Sequence, residues 1–572
     1  QQPTVNVRGR VIYADGAPII GAGVVCKADS KIGTVTDVDG RFSIKYPSDG
    51  MLVVSYVGMK TVEVKANAAT EMVITLQEDN ESLKSAIVTG IVDKRQETFT
   101  GSSVTYTGDE LRSIGVQNPI ASLRSLDPAF VLLENDAFGS DPNHLPNIEI
   151  RGKSSMLGLR DELSEDPNQP LFILDGFEST LSAIYNLDVS RIASITILKD
   201  AASTAIYGSK AANGVVVVET VKPVAGKLRL SYSGSLDVTI PDLSSYNLMN
   251  AQEKLEFEKL AGHYSASGSA SEIIAMDNFY NQRLAMVGSG VDTYWLSEPL
   301  RIGLNNRHDL YVDGGADGFM FGIGLNYNDV NGVMKTSNRD GLGGRIDLTY
   351  RIGKLNFSNK FSALSTGYTD PIVSFSEYAM ANPYCKKYAE DGSLNRLLIE
   401  ESSLESAMGN PMWNDSLNSR NASKDLLISD YFNVEYNPID GLRLRARAGL
   451  TYNTYKNENF ISPDDTRFES TNRLRRGSFT DTDRSNMKYE GDFTASYGKV
   501  FGEIHNVNIA LGGKISESNT LTQGYTVYGF PSGEFTYPSF SNGYNDGARP
   551  TYTESVVREA SAYLIGSYAL KD

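Results

Sequence analysis

Pro170-Leu-Phe-Ile-Leu-Asp-Gly176, Ile195-Thr-Ile-Leu-Lys-Asp-Ala-Ala-Ser-Thr-Ala-Ile-Tyr-Gly208 and Asn213-Gly-Val-Val-Val-Val-Glu-Thr220 decide how this chain is read. Leu171 to Leu174 is a short apolar run halted by Asp175-Gly176, which predicts a buried strand ending in a turn. Ile195 to Leu198 predicts a second strand. Asp200 can then cap a helix over Ala201 to Tyr207, with Gly208 placed to close it at positive φ. Gly214 releases a third strand, Val215 to Val218. Strand, short helix and strand make a compact α+β unit with no evident catalytic group.

Ile150-Arg-Gly152, Ile173-Leu-Asp-Gly176, Leu198-Lys-Asp-Ala-Ala202 and Ile206-Tyr-Gly-Ser-Lys-Ala-Ala-Asn-Gly214 together resemble the plug domain of SusC-like, TonB-dependent outer-membrane transporters of the Bacteroidetes. The resemblance implies a unit of residues 98–224 that sits inside a β-barrel and gates it. Gly152-Lys153-Ser154 has the tail of a phosphate loop, but Asn147 stands where that loop needs its first glycine. It reads instead as the Ile-Arg-Gly strand end of the plug. Asn118-Pro119 marks the start of a helix running through Leu126.

Ahead of the plug, residues 1–79 read as an all-β domain. Val5, Val7, Gly9 and Val11 alternate with polar residues, and the further short strands suit a seven-strand sandwich. Thr36-Asp37-x-Asp39-Gly40-x-Phe42 and Ser55-Tyr56-Val57-Gly58 resemble the carboxypeptidase-regulatory-like domain that precedes many SusC-like plugs. Asp37-x-Asp39-Gly40 lacks the further oxygen ligands of a calcium loop and is expected to be an Asx-type turn. Residues 80–97 read as a linker carrying a β-prone patch, Ala86, Ile87, Val88, Thr89 and Gly90. Such a patch can add a strand to the edge of a partner's sheet. The resemblance implies that TonB, with its inner-membrane energising complex, meets the protein there, although Lys84-Ser85 replaces the usual acidic start.

From Gly226 onward the period changes to two. Leu228, Leu230 and Tyr232 alternate with Lys227, Arg229 and Ser231; Leu442, Leu444, Ala446, Ala448 and Leu450 alternate with Arg443, Arg445, Arg447 and Gly449. An oily core between two sheets could not take three arginines on one face, whereas a barrel with lipid outside and water inside accepts both rows. Ten strands are expected near 228–238, 307–313, 319–328, 342–351, 355–364, 428–436, 442–452, 487–497, 504–514 and 559–569. The link after every odd strand is long and the link after every even strand short, the parity of an outer-membrane barrel with short periplasmic turns. Ten strands cannot enclose a plug of about 125 residues. The sequence ends at Lys571-Asp572, so residues 225–572 read as the amino-terminal part of a barrel of about 22 strands when complete. The fold class is therefore mainly β: a sandwich, an α+β plug and part of a transmembrane antiparallel barrel.

Composition agrees. The 52 glycines and 31 tyrosines suit a β-rich chain with wet surfaces, and a net charge of −17 argues against nucleic acid. No apolar run is long enough for a membrane helix. Gln1-Gln2 opens the sequence without a basic or apolar leader, as expected once an export signal has been removed. Cys26 and Cys385 suggest no disulfide framework. Four scattered histidines give no metal site, no nucleophile elbow appears, and neither cofactor nor enzymatic activity is expected. Aromatic residues in the long links, Trp295, Trp413, Tyr525, Tyr528, Phe530, Tyr537 and Tyr544, are candidates for substrate or lid contact, with packing of the loops as the plainer role. A loop helix is expected over Asn247 to Lys259. The resemblance implies an outer-membrane importer with a periplasmic amino-terminal domain, a SusD-like lipoprotein lid, and a dimer of such transporter–lid pairs. Its cargo would be an oligosaccharide, with an oligopeptide as the alternative. A transporter that also signals would need a further amino-terminal domain, which the 1–79 sandwich is not.

Overall fold

The computed structural model describes residues 4–570 apart from 14–17, 20, 28–31, 38, 48–49, 57–58, 68–70, 77–85, 89–92, 96–101, 115–117, 134–140, 146, 151–167, 201–203, 267, 317, 403, 440 and 502–504. Its amino-terminal part has seven strands in two sheets. Thr4–Tyr13 pairs antiparallel with Arg41–Pro47 and parallel with Met72–Leu76, while the second sheet runs Gly33–Val35, Gly23–Cys26, Met51–Ser55, Val62–Lys65. Alternate residues of both sheets, Val7, Val11, Ile44 and Ile74 against Val24, Leu52 and Val54, form one buried core. Asp37 spends a carboxylate oxygen on the turn, accepting from the N–H groups of Asp39 (3.0 Å) and Arg41 (2.7 Å).

The plug is built on a five-stranded sheet in the order Ser103–Thr107, Ile192–Leu198, Val215–Thr220, Leu171–Leu174, Phe177–Ser179. Leu171–Leu174 runs parallel to Val215–Thr220, which explains the continuous apolar run in both, since a central strand is covered on both faces. Helix Pro119–Leu126 starts as its sequence dictates: Asn118 Oδ1 accepts from the Ala121 N–H at 2.8 Å and proline takes the first turn. The expected helix over Ala201 to Tyr207 is seen in part, Thr204 donating its N–H to the Asp200 carbonyl at 3.0 Å across one helical turn. Residues 201–203 lie outside the described residues, and Ala205–Ala211 forms 3₁₀ turns on both sides of Gly208 rather than a helix ending there. Gly208 has φ 70° and ψ −153°, a region essentially reserved for glycine and outside any helix-closing geometry.

Residues 226–570 form one antiparallel ten-stranded sheet: Gly226–Thr239, Gly303–Ala316, Phe319–Asn331, Asn338–Ile352, Leu355–Asp370, Arg420–Tyr436, Leu442–Ile461, Ser478–Phe501, His505–Tyr528 and Thr551–Leu570, each hydrogen-bonded to the next. All ten expected strands are present in sequence order. From the fourth onward most run well past their expected ends, chiefly toward the long-link side. Beyond the lipid band a strand's outer face needs no apolar residue, so the period-two signal stops while pairing continues, as in 453–461. Among the described residues no pairing joins Gly226–Thr239 to Thr551–Leu570, and the sheet is open. No helix among the described residues is long and apolar enough to cross a membrane.

Parity sets the two faces. Leu228, Leu230, Tyr232, Leu236 and Val238 are exposed outward, as are Ile323, Leu325 and Leu450. The alternate rows turn inward onto the plug. On the long-link side, segments 240–302 and 371–419 fold into a module of their own around Leu255, Trp295, Tyr378 and Tyr384, with helices Ala251–Leu260 and Ala270–Gly288. The expected loop helix is thus present, capped by Asn250.

Candidate functional site

The plug meets the barrel wall through the hairpin at its sheet edge. Leu174 pairs with Phe177, leaving Asp175 (φ 51°) and Gly176 (φ 90°) as a two-residue turn with both φ positive, the form that matches strand twist and that Asp-Gly favours. This turn aims its side chains and carbonyls at the wall. Asp175 accepts from the Thr220 N–H (2.9 Å) and hydroxyl (2.8 Å) and takes Lys360 of the wall at 2.6 Å. Burial opposes its ionisation, yet Lys360 holds the carboxyl below the usual range. The Gly176 carbonyl accepts from Arg447 Nη1 at 2.8 Å, and the same guanidinium lies over the Phe177 ring at 5.1 Å. Phe177 also stacks on Tyr431 of the wall with ring centroids 4.0 Å apart.

Glu178 completes the hairpin's hold. Its carboxylate lies 2.9 Å from Lys488 and 3.8 Å from Lys514, both on the wall, and 3.1 Å from Lys210 of the plug. Burial works against the charge, but the three lysines bring the pKa down to about 2. Lys210 itself reaches Glu559 of the last strand at 3.0 Å.

A second contact zone lies at the carboxyl end of the short helix Leu181–Tyr185, whose terminal carbonyls need donors from outside the helix. Arg307 donates to the carbonyls of Asn186 (3.3 Å) and Leu187 (3.5 Å). Arg339, 1% exposed, donates to the Pro142 carbonyl, Ser182 Oγ and Asn186 Oδ1 and sits between the rings of Tyr185 and Tyr368. Arg191 of the plug covers one face of Tyr311 at 3.4 Å, while Arg345 of the wall covers the ring at 4.8 Å.

The arginine row expected to face inward does so. Arg447 is an ion pair with Asp492 of the neighbouring strand (2.8 Å), both nearly buried, and Arg443 pairs with Glu435 at 3.0 Å. The acidic partners Asp492 and Glu435 belong to the wall, and the plug adds a carbonyl and a ring to Arg447.

The other candidates fall in different places. Ala86–Val88 is a short strand paired antiparallel with Asp93–Arg95, and Thr89 and Gly90 lie outside the described residues, as do 151–154. Trp295 is 2% exposed and donates Nε1 to the Asn382 carbonyl at 2.9 Å, so it is a core residue of the outer module and cannot touch a substrate as placed. Trp413 is half-buried and ties the module to segment 462–477 through the Asp464 carbonyl. Tyr525 and Tyr528 stand on strand His505–Tyr528 rather than in a loop, because that strand continues above the lipid band. Phe530 is buried against Phe460, 5.1 Å between ring centroids. Tyr537 and Tyr544 alone of the seven are well exposed. Sequence reasoning missed Lys360, Lys488, Lys514, Arg307 and Arg339. Their signal was available: each is a charged residue on the inward row of a lipid-crossing strand.

A folded unit seated on the polar, concave face of an outward-apolar antiparallel sheet defines a plugged outer-membrane barrel protein. Residues 7–88 match the CarboxypepD_reg-like domain family and residues 95–215 the TonB-dependent Receptor Plug Domain family. The chain is 28% identical to the TonB-dependent receptor SusC of Bacteroides thetaiotaomicron over 58% of its own length and 31% of that protein. It is 26% identical to a TonB-dependent receptor of Formosa agariphila over 98% of its own length and 54% of the relative. Among solved structures it is similar to the RagAB peptide importer in its closed-closed state, with TM-score 0.66 at 19% identity, covering 83% of this chain and 54% of the other. The chain thus spans about half the length, or less, of the relatives it matches. It carries a TonB-dependent receptor plug domain and is similar to SusC-like TonB-dependent receptors, and its place is the outer membrane.

Proposed function

We propose that this chain is the plug-bearing part of an energy-coupled importer that takes a large nutrient across the outer membrane. The observation that carries the reading is the polarity of the seam. The hairpin 171–179 and the end of helix 181–185 are held to the wall mainly by charged and hydrogen-bonded contacts, with the Phe177–Tyr431 stack as the apolar exception. A unit fixed permanently would be expected to bury an apolar face. A polar seam can open and rehydrate without exposing oily surface, as a gate requires.

In this reading TonB supplies the pull from the periplasm through a strand added at Ala86–Gly90, and a SusD-like lipoprotein closes the outside. Oligosaccharide is the cargo class. Support comes from the inward row above the plug, where Asn421, Ser423, Asn457, Asn486 and Thr520 hydrogen-bond among themselves and their neighbours. Amides and hydroxyls both donate and accept, and a hydroxyl-rich cargo can exchange for those bonds one at a time. The test is to purify the full-length protein with its lid from cells grown on mixed glycans and peptides and to identify the extracted ligand by mass spectrometry. Recovery of glycans supports the cargo class; recovery of peptides alone replaces it.

A further inference from the structure

The amino-terminal sandwich has one face of a single charge. In the sheet of Arg41–Pro47, Thr4–Tyr13 and Met72–Leu76, Val7, Val11, Ile44 and Ile74 point into the core, so the alternate residues point to solvent. Those rows read Asn6, Arg8, Arg10 and Ile12 on the central strand, Arg41, Ser43 and Lys45 on one side of it, and Val73 and Thr75 on the other. None of the three strands contains an aspartate or a glutamate, in a chain whose net charge is −17. Arg10 stands directly opposite Arg41 across the strand pair, an arrangement of like charges that costs stability. Arg8 and Lys45 make no ion pair among the described residues. Among those residues carboxylates reach only the rim. Asp39, on the turn, lies 3.3 Å from Arg41 Nη1 and lends its carbonyl to Arg10 Nε at 2.8 Å. Asp37 is spent on the same turn, and Glu71 immediately precedes the edge strand Met72–Leu76.

We propose that this face rests on the anionic phospholipid headgroups of the inner leaflet of the outer membrane and holds the sandwich beside the periplasmic mouth of the barrel. The chemistry fits, because guanidinium and ammonium groups pair with phosphate, arginine through two parallel bonds. The relief of the face fits as well. A protein partner is gripped through buried aromatic or aliphatic anchors, and this face offers only Ile12 and Val73. A leaflet needs no anchor and no matched surface, since its headgroups diffuse and gather under a fixed set of cations. Reach is assured. Only residues 77–102 separate Leu76, which ends the last strand of the sandwich, from Ser103, which opens the plug sheet. A weak contact therefore suffices, as the tether keeps the leaflet at a high effective concentration. The inference rests on the barrel lying in the outer membrane and is independent of cargo and lid.

The experiment uses the full-length protein in lipid nanodiscs that carry a headgroup spin label, made of phosphatidylcholine alone or with about one-third phosphatidylglycerol. A fluorophore is attached at Thr75→Cys, on the basic face, or at Ser55→Cys, exposed on the opposite sheet; Cys26 and Cys385 are free and buried, which gives the unsubstituted protein as a labelling control. The proposal expects quenching at Thr75→Cys in anionic discs, much less at Ser55→Cys, none at either in neutral discs, and loss of the signal in high salt. Arg8→Glu with Lys45→Glu should lower the ratio of docked to free domain at least 25-fold, at about fivefold for each cation removed. Lys60→Glu with Lys65→Glu makes the same change of net charge away from this face and should leave the ratio within about twofold. A heat-modifiable band establishes the barrel beforehand, so its absence would fail the outer-membrane reading and this inference with it. With the barrel in place, equal quenching in neutral discs, equal quenching at the two labels, or equal loss in the two charge-reversal variants would each overturn the proposal alone. So would binding to isolated peptidoglycan that Arg8→Glu with Lys45→Glu abolishes while anionic discs give no quenching.

Discussion

Glu178→Gln tests the seam most quantitatively. The carboxyl's pKa lies near 2 against an ordinary 4.5, a preference for the charged, docked form of about 3 kcal/mol. Lys210 belongs to the plug itself, whereas Lys488 and Lys514 belong to the wall, so on the order of 1–2 kcal/mol of this holds plug to barrel. The pKa is lowered in the docked state, so the contribution is complete above pH 4.5 and is lost as pH falls toward 2. The assay is plug release in urea, read as the onset of conductance through the full-length protein in planar bilayers. With a slope of roughly 1–3 kcal/mol per molar, the substitution should lower the urea midpoint by about 0.5–1 M at pH 7. That difference should shrink steadily below pH 4.5. Identical midpoints for the two proteins at pH 7, or a difference unchanged at pH 3, would refute the reasoning.

Other outcomes follow from the same geometry. Arg447→Leu leaves Asp492 buried and unpaired and removes the bond to Gly176, which should cost about 3–5 kcal/mol in plug seating, whereas the double variant with Asp492→Leu should recover much of it; the urea assay reads both. Ile87→Pro or Val88→Pro should abolish uptake while the barrel stays heat-modifiable, because proline cannot donate to an added strand; normal growth on the sole nutrient would remove the patch from the TonB role. Arg283→Leu strands Glu405 in the outer module and should open segments 240–302 and 371–419 to protease at concentrations that spare the native protein.

Much of this architecture was legible because lipid imposes a simple rule on sequence. Where a strand crosses hydrocarbon, every second residue must be apolar, and Leu442 to Leu450 announces its register and its inward arginines without any structure. The rule stops at the membrane surface, which is why Tyr525 and Tyr528 read as loop residues when they sit on the upper part of a strand. Trp295 misled for a different reason. A tryptophan in a long link suggests an exposed binding ring, but segments 240–302 and 371–419 are long enough to build a core, and Trp295 is inside it. The Asp175-Gly176 turn was readable as a turn from its φ requirements alone. What it grips was not, since Lys360, Arg447 and Lys488 come from strands far away in sequence, and only folding brings them to one hairpin. Gly208, expected to close a helix, lies instead between the 3₁₀ turns of Ala205–Ala211.

In a gate of this kind the hairpin 171–179 must leave the wall for transport. Phe177→Cys with Tyr431→Cys places two thiols where the stacked rings lie 4.0 Å apart, and a short thiol-specific cross-linker would then tie plug to barrel in the full-length protein. Uptake of the cargo by cross-linked cells should cease, and a cleavable version of the linker should restore it on reduction. Transport at the native rate with the cross-link demonstrably in place would contradict the proposed gate.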